Sequence, residues 1–187
     1  WFPLWEACEG LAMPVNFHIG GSETSIDWMG QQGWPSLPRD LRSGISGAML
    51  FFNNGKVVAN LIYSGLLDRF RDLKFVSVES GIGWVPFMME ALDYQLVEIA
   101  EGKGFEKKPS EYFRSNFYAC FWFEQGQDMA DMVRKVGVDN VLFETDFPHP
   151  TGLYPIEKLG DRLGDLTRDE KARVLGGNAA SLYRIAI

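Results

Sequence analysis

Histidine and cysteine are scarce in this sequence, with two of each among 187 residues. Cys8 and Cys120 lie far apart in apolar surroundings. That spacing argues against a disulfide framework and fits small core residues in a reducing, cytoplasmic compartment. The sequence has no Asn-X-Ser/Thr sequon. No apolar run reaches the length of a membrane span, because the longest are strand-sized and broken by Gly, Pro or charge. No signal-peptide pattern is read at the start. The net charge is −7, and no basic stripe exists to neutralise phosphates, so nucleic acid is not an expected partner. There is no Gly-X-Ser-X-Gly elbow and no suggested Cys-His pairing, so a serine or cysteine nucleophile is not indicated. Gly81-Ile82-Gly83 is not a dinucleotide fingerprint, since Pro86 stands at the third glycine position and no lysine or arginine sits near the turn.

What the sequence does contain is apolar residues, at 46% hydrophobic and 14% aromatic. That is enough for one well-packed domain. Phe2 to Glu9 reads as the end of a helix, with Gly10 as its C-terminal cap. Pro14 to Gly20 (PVNFHIG) is the first strand. A long aromatic loop follows, through Trp28, Trp34 and Pro38, and is expected to act as a lid. Ile45 to Phe52 is a helix stopped by Asn53-Asn54-Gly55. Val57 to Tyr63 is a second apolar segment, and Leu66 to Arg71 a short helix. Leu73 to Val78 is the second strand, ending in Glu79. A helix from Trp84 to Ile99 presents Trp84, Phe87, Met88, Ala91, Leu92 and Leu96 on one face. Gly102 to Ser110 is a charged loop. The third strand is roughly Asn116 to Phe121, followed by a helix over Asp128 to Val136 that Gly137 ends. Val141 to Glu144 is the fourth strand, and Tyr154 to Leu163 a short helix. Thr167 and Glu170 form a capping box, the helix they open ends at Gly176-Gly177, and Asn178 to Ile185 is the last helix.

Strands alternating with helices imply parallel βαβ units. Four such units make half of an eight-stranded barrel, and an open doubly wound sheet is the alternative. In both architectures chemistry sits at the C-terminal tips of the strands. Three tips here carry ionisable groups, namely His18, Glu79 and Asp146, the last in the run VLFETDFPHP. His149 follows between two prolines. Imidazole and carboxylate together suit a divalent metal such as zinc or manganese, which would activate a bound water near neutral pH or polarise a substrate carboxylate.

The segments NFHIG, KFVSVESGIGWVPFMMEALD, VLFETDFPHPTGLYP and GGNAASLYRI resemble the C-terminal half of the amidohydrolase-related family, which includes aminocarboxymuconate semialdehyde decarboxylase and similar metal-dependent hydrolases. The resemblance implies an α/β fold of the TIM-barrel type, with the chain covering roughly strands five to eight and lacking strands one to four. The opening Trp1-Phe2-Pro3-Leu4-Trp5, with no start signal, agrees with a chain that begins in mid-fold. The resemblance implies His18 and Asp146 as metal ligands, Asp146 and Glu79 as catalytic groups, and a structural Asn178. It also implies an apolar pocket of Trp28, Trp34 and His149 for a small cyclic or aromatic carboxylic acid. Glu79 stands where the decarboxylases often have a histidine, and no His-X-His is present. The expected cofactor is one divalent metal, zinc first and manganese second, and unpaired sheet edges favour a homodimer without a membrane partner. The competing expectation is a catalytically incomplete fragment, or an interaction module that binds no metal.

Overall fold

The computed structural model describes residues 1–20, 38–99, 104–124, 128–149, 152 and 159–186. In chain order these form helix α1 (Phe2–Gly10), strand β1 (Val15–His18), helices α2 (Arg39–Tyr63) and α3 (Leu66–Arg69), strand β2 (Phe75–Val78), helices α4 (Val85–Ile99) and α5 (Pro109–Asn116), strand β3 (Phe117–Phe121), helix α6 (Met129–Val136), strand β4 (Val141–Phe143), and helices α7 (Leu159–Arg162), α8 (Arg168–Ala172) and α9 (Asn178–Tyr183). The four strands form one sheet in the order β1-β2-β3-β4, and every pairing is parallel. Each new strand is laid beside the last, with no reversal of direction across the sheet. That is the arc of a barrel, whereas a doubly wound sheet has a switch point in its strand order. No helix among the described residues is long and apolar enough to cross a membrane.

The period-two alternation of each strand divides the sheet into two faces. Phe75, Phe117, Ala119, Phe121 and Val141 face the helices and join the main core with Val58, Ile62, Phe113, Val133 and Val174. Phe117 stacks between Phe75, at 5.4 Å, and Phe113, at 5.6 Å. Burial of one such side chain stabilises the fold by roughly 1.5–3 kcal/mol. On the opposite face Val76, Cys120 and Leu142 are buried, with Val78, Tyr118, Ala179 and Leu182 against them. The C-terminal α9 therefore lies across the inner face, where Tyr183 Oη donates to Asn16 Oδ1 at 2.5 Å.

Three buried asparagines lock the N-terminal ends of the strands. Asn116 Nδ2 donates to the carbonyls of Arg71 and Leu73, which lead into β2. Asn140 Nδ2 donates to those of Arg114 and Phe117, at the start of β3. Asn178 Nδ2 donates to those of Val138 and Val141, at the start of β4, so the structural role expected of Asn178 is what the geometry gives it. A buried carbonyl left without a donor costs about 1–3 kcal/mol. Each asparagine thus fixes the height at which a strand begins, and so the height of its tip.

Several expectations are corrected by packing. Asn53-Asn54-Gly55 does not stop a helix, because α2 runs unbroken through it. Both asparagines are buried, and Asn54 Nδ2 donates to Ser77 Oγ on β2 at 3.0 Å. A Cβ at Gly55 would lie 2.9 Å from Met88 Cε of α4. Those residues serve contacts with the sheet and a neighbouring helix, not a turn. Gly10 lies inside α1, and the left-handed residue beyond that helix is Ala12, with φ 48°. On α4 the buried face is Val85, Met89 and Leu92, and Phe87 is 72% exposed. The start of the aromatic stretch before β3 is helical, with Pro109 in the first turn and Glu111 capping the main-chain N–H of Lys108. The expected helix end at Gly176-Gly177 does form, since Gly176, with φ 179° and ψ −32°, breaks the helical backbone between α8 and α9, but α9 stops at Tyr183, short of Ile185.

The capping box at Thr167 forms as expected, with Glu170 N–H donating to Thr167 Oγ1 at 3.2 Å and Thr167 N–H to Glu170 Oε2 at 2.8 Å. Arg134 of α6 also donates to both oxygens of Glu170. The guanidinium first, then the Thr167 amide, hold the Glu170 carboxyl down at about 2, against an ordinary 4.5. A depressed folded pKa gives stability that is present above the unfolded value and lost as pH falls. The urea midpoint of the native protein is therefore expected to fall, relative to that of Glu170→Gln, as pH drops from 4.5 toward about 2. Parallel pH profiles for the two proteins would contradict this.

Candidate metal centre

The tips of β1, β2 and β4 bring four ionisable side chains together. His18 ends β1 on the inner face, and its Nε2 contacts Glu79 Oε2. His149 Nδ1 lies 2.6 Å from Asp146 Oδ1 and 3.7 Å from Glu79 Oε1. Glu79, Asp146 and His149 each offer a ligand atom, all within 4.8 Å of one another. His18 and Asp146, the two expected ligands, therefore reach one cluster through Glu79. His149 stands in that same polar cluster, beside Asp146. Trp28 and Trp34, expected with it in the pocket wall, lie outside the described residues.

Local backbone geometry explains how the acids are aimed. In an extended strand Glu79 would follow Phe75 and Ser77 onto the helix-facing side. Its φ is instead +60°, which breaks the alternation after Val78 and turns the carboxylate toward His18. Asp146 likewise has φ +58°. A left-handed non-glycine residue costs roughly 1–2 kcal/mol, so each tip needs a compensating contact. At Glu79 the main-chain N–H donates to Glu144 Oε1 at 2.8 Å. A hydrogen bond of this kind contributes about 0.5–1.5 kcal/mol, comparable with the strain. At Asp146 the chain folds back tightly, with His149 N–H donating to the Asp146 carbonyl at 2.9 Å. Gly152 closes this turn. A Cβ there would lie 2.9 Å from each of the carbonyl oxygens of Thr145, Asp146 and His149, so no other residue fits without moving the backbone. The Phe147–Pro148 peptide bond is cis.

From the helix side, Ser77 and Ser80 share a hydrogen bond at 2.6 Å, Asn54 donates to Ser77, and Trp84 Nε1 donates to the Ser80 carbonyl at 3.2 Å. This ties the turn after β2 to α2 and α4. Glu124, just beyond β3, accepts the main-chain N–H of Ile82 at 2.5 Å through Oε1.

The electrostatics are those of like charges held close. Burial first, then the bond to Asp146, raise the Glu79 pKa above the ordinary carboxylate range. His149 is raised mainly by its hydrogen bond to Asp146. Glu144 is pushed up to about 7, chiefly by burial. Two close carboxylates with imidazoles at both ends form a donor set that a divalent cation would satisfy. His18 carries a second feature of a metal ligand. Its Nδ1 lies 2.8 Å from the Ile19 carbonyl, which can only accept, so Nδ1 donates there and Nε2 is the nitrogen aimed at the cluster. The chemistry of the residues fits a metal such as manganese or zinc.

Glu144 is the site residue that sequence reasoning passed over. It was visible only as the last residue of the β4 run, and its partner lies 65 positions away.

The amidohydrolase family model matches residues 1–185. Among curated proteins, the chain is 24% identical over 197 residues to the gamma-resorcylate decarboxylase of Polaromonas sp. strain JS666, a match covering 99% of this chain and 55% of that one. Among solved structures, an amidohydrolase from Mycobacterium avium subsp. paratuberculosis aligns at TM-score 0.78 and 24% identity, over 96% of this chain and 44% of that one. A dihydroxybenzoic acid decarboxylase from Polaromonas sp. JS666, solved with manganese and the inhibitor 2-nitroresorcinol, aligns at TM-score 0.63 and 21% identity, over 98% of this chain and 53% of that one. The chain thus spans about half the length of the curated relatives it matches.

Glu79→Gln removes one charge from the pair and keeps the shape. In metal-free protein this variant is expected to melt higher than the native protein at pH 8. The gain should be smaller at pH 5 than at pH 8, because a raised pKa brings on proton uptake by Glu79 at higher pH than for an ordinary carboxylate. Calorimetry with chelator at both pH values measures this, and a lower melting point at pH 8 would contradict it.

Proposed function

The chain belongs to the amidohydrolase family, and from that premise we propose that it carries the metal centre of a decarboxylase or hydrolase acting on a small aromatic carboxylic acid. The observation supporting this reading is the convergence of His18, Glu79, Asp146 and His149 at the C-terminal end of a parallel sheet. The α/β architecture is that of amidohydrolase TIM-barrel proteins, of which this chain covers about half.

In this reading His18 Nε2 and the Asp146 carboxylate hold one divalent metal. Manganese is favoured by its presence in the similar dihydroxybenzoic acid decarboxylase structure, with zinc as the alternative. When bound, the metal supplies positive charge that polarises a substrate carboxylate or an adjacent hydroxyl and acidifies water. The remaining steps fall to side chains. Glu79, whose pKa is raised by burial and by its bond to Asp146, delivers a proton to the ring carbon that bears the carboxylate. Carbon dioxide then leaves with rupture of that carbon–carbon bond, its electron pair returns to the ring, and the product is the neutral arene with hydrogen in place of the carboxylate and Glu79 as carboxylate. His149, bonded to Asp146, can return the proton from solvent. For a hydrolytic substrate the same groups would act in the opposite sense, with Asp146 accepting a proton from water. Trp28, Trp34 and His149 are proposed as the apolar wall against the ring.

Self-association as a dimer is part of the same proposal. It is supported by the outer edges of β1 and β4, which pair with no further strand among the described residues. Two buried free cysteines support a reducing, cytoplasmic setting.

The test is turnover of 2,6-dihydroxybenzoate by manganese-loaded protein, followed as carbon dioxide release and resorcinol formation. Activity is expected, and Glu79→Gln should lower kcat by about 100-fold or more. His18→Ala and Asp146→Asn should lose both metal and activity. Turnover of neither hydroxybenzoates nor cyclic carboxylic esters, or a His18→Ala variant as active as the native protein, would overturn the reading.

A further inference from the structure

Glu144 sits on the inner face of the sheet. Leu142, two residues before it, is buried on that face with Cys120 of β3. The register pairs Cys120 with Leu142 and Phe121 with Phe143, and the Glu144 N–H extends the ladder by donating to the Phe121 carbonyl at 3.1 Å. The Glu144 backbone thus remains on the β4 side of β3. Its carboxylate nevertheless accepts the main-chain N–H of Glu79, at the tip of β2, at 2.8 Å. The side chain therefore spans the whole of β3. Strands lie about 4.8 Å apart, so only a long side chain lying nearly flat can make that reach, and the residue beneath it must be small. That residue is Cys120, whose thiol hydrogen-bonds the Glu144 carboxyl.

The contact falls on the residue where geometry matters most. Glu79 is the point at which β2 abandons its alternation, with φ +60°, and that turn alone sends its carboxylate to His18 and toward Asp146. Ser77 and Ser80 brace the turn from the helix side. From the inner side the Glu79 amide is held by Glu144.

We propose that Glu144 is a positioning residue that spans β3 to fix the left-handed Glu79 main chain and so aims the Glu79 carboxylate into the metal centre. The inference rests on the reading of Glu79 as part of that centre. It assigns no proton transfer to Glu144; the residue acts through the main chain of its neighbour.

Two measurements on the protein test it. The first is hydrogen exchange of the Glu79 amide, read by NMR in metal-free protein. Protection is expected in the native protein and in Glu144→Gln, whose amide oxygen can replace Oε1, and it is expected to be lost in Glu144→Ala. The second is manganese affinity by titration. Glu144→Ala should weaken binding by about tenfold or more, and Glu144→Gln should stay within about threefold of native. In a Glu79→Ala background, Glu144→Ala should cause no further loss. Leu142→Ala, which opens the same inner face without touching Glu79, should lower the melting point and leave the affinity unchanged. Unaltered Glu79 protection in Glu144→Ala overturns the proposal, as do additive losses in the double variant. A native protein that takes up no manganese overturns the metal centre instead, and the Glu79 amide then decides the positioning role by itself.

Discussion

The structure depends on holding the Glu79 and Asp146 carboxylates within ligand distance of each other while keeping both largely from water. Close like charges repel, and burial removes the solvent that would screen them. The surroundings supply what the pair lacks. His18 and His149 flank it, the main chain at both acids is left-handed, and Glu144 grips one turn from across the sheet. A site that is costly when empty and satisfied by a cation is the usual signature of a functional centre. Its strain is local and is offset by identifiable hydrogen bonds.

The scaffold transmits this demand downward. A parallel sheet laid strand by strand places every tip on one rim, and the buried asparagines at the opposite ends set how high each tip stands. The phenylalanine stack and the long α2 then hold the sheet against its helices. Stability is concentrated at the bottom and along the helix-facing side, and chemistry at the top of the inner face. In barrels this division lets loops and tips vary without loss of the fold.

Much of this was legible in the sequence because the signals are local. The strands are short β-forming apolar runs, and His18 at the end of β1, Glu79 just past β2 and Asp146 three residues past β4 lie in one cluster. The Thr167–Glu170 box and the Gly137 stop were equally readable, since their partners lie within a few residues. What was missed is long-range. Asn53-Asn54-Gly55 has the composition of a turn, yet its amides and its missing side chain answer to Ser77 and Met88. The expected face of the helix after β2 holds at Trp84 and Leu92 but not at Phe87, which is exposed while Val85 and Met89 are buried. Glu144 gave no signal of its own, because its role exists only once β2 and β4 stand on either side of β3. The unexpected place of His149 follows from the tight return of the chain after Asp146, which Gly152 permits.

The most direct test of this account is the metal content of the purified protein, measured by elemental mass spectrometry after growth in manganese-supplemented medium. The account predicts about one manganese or zinc per chain, lost on Asp146→Asn. No metal above background in the native protein, or the same content in Asp146→Asn, would contradict the claim that these strand tips exist to hold a cation.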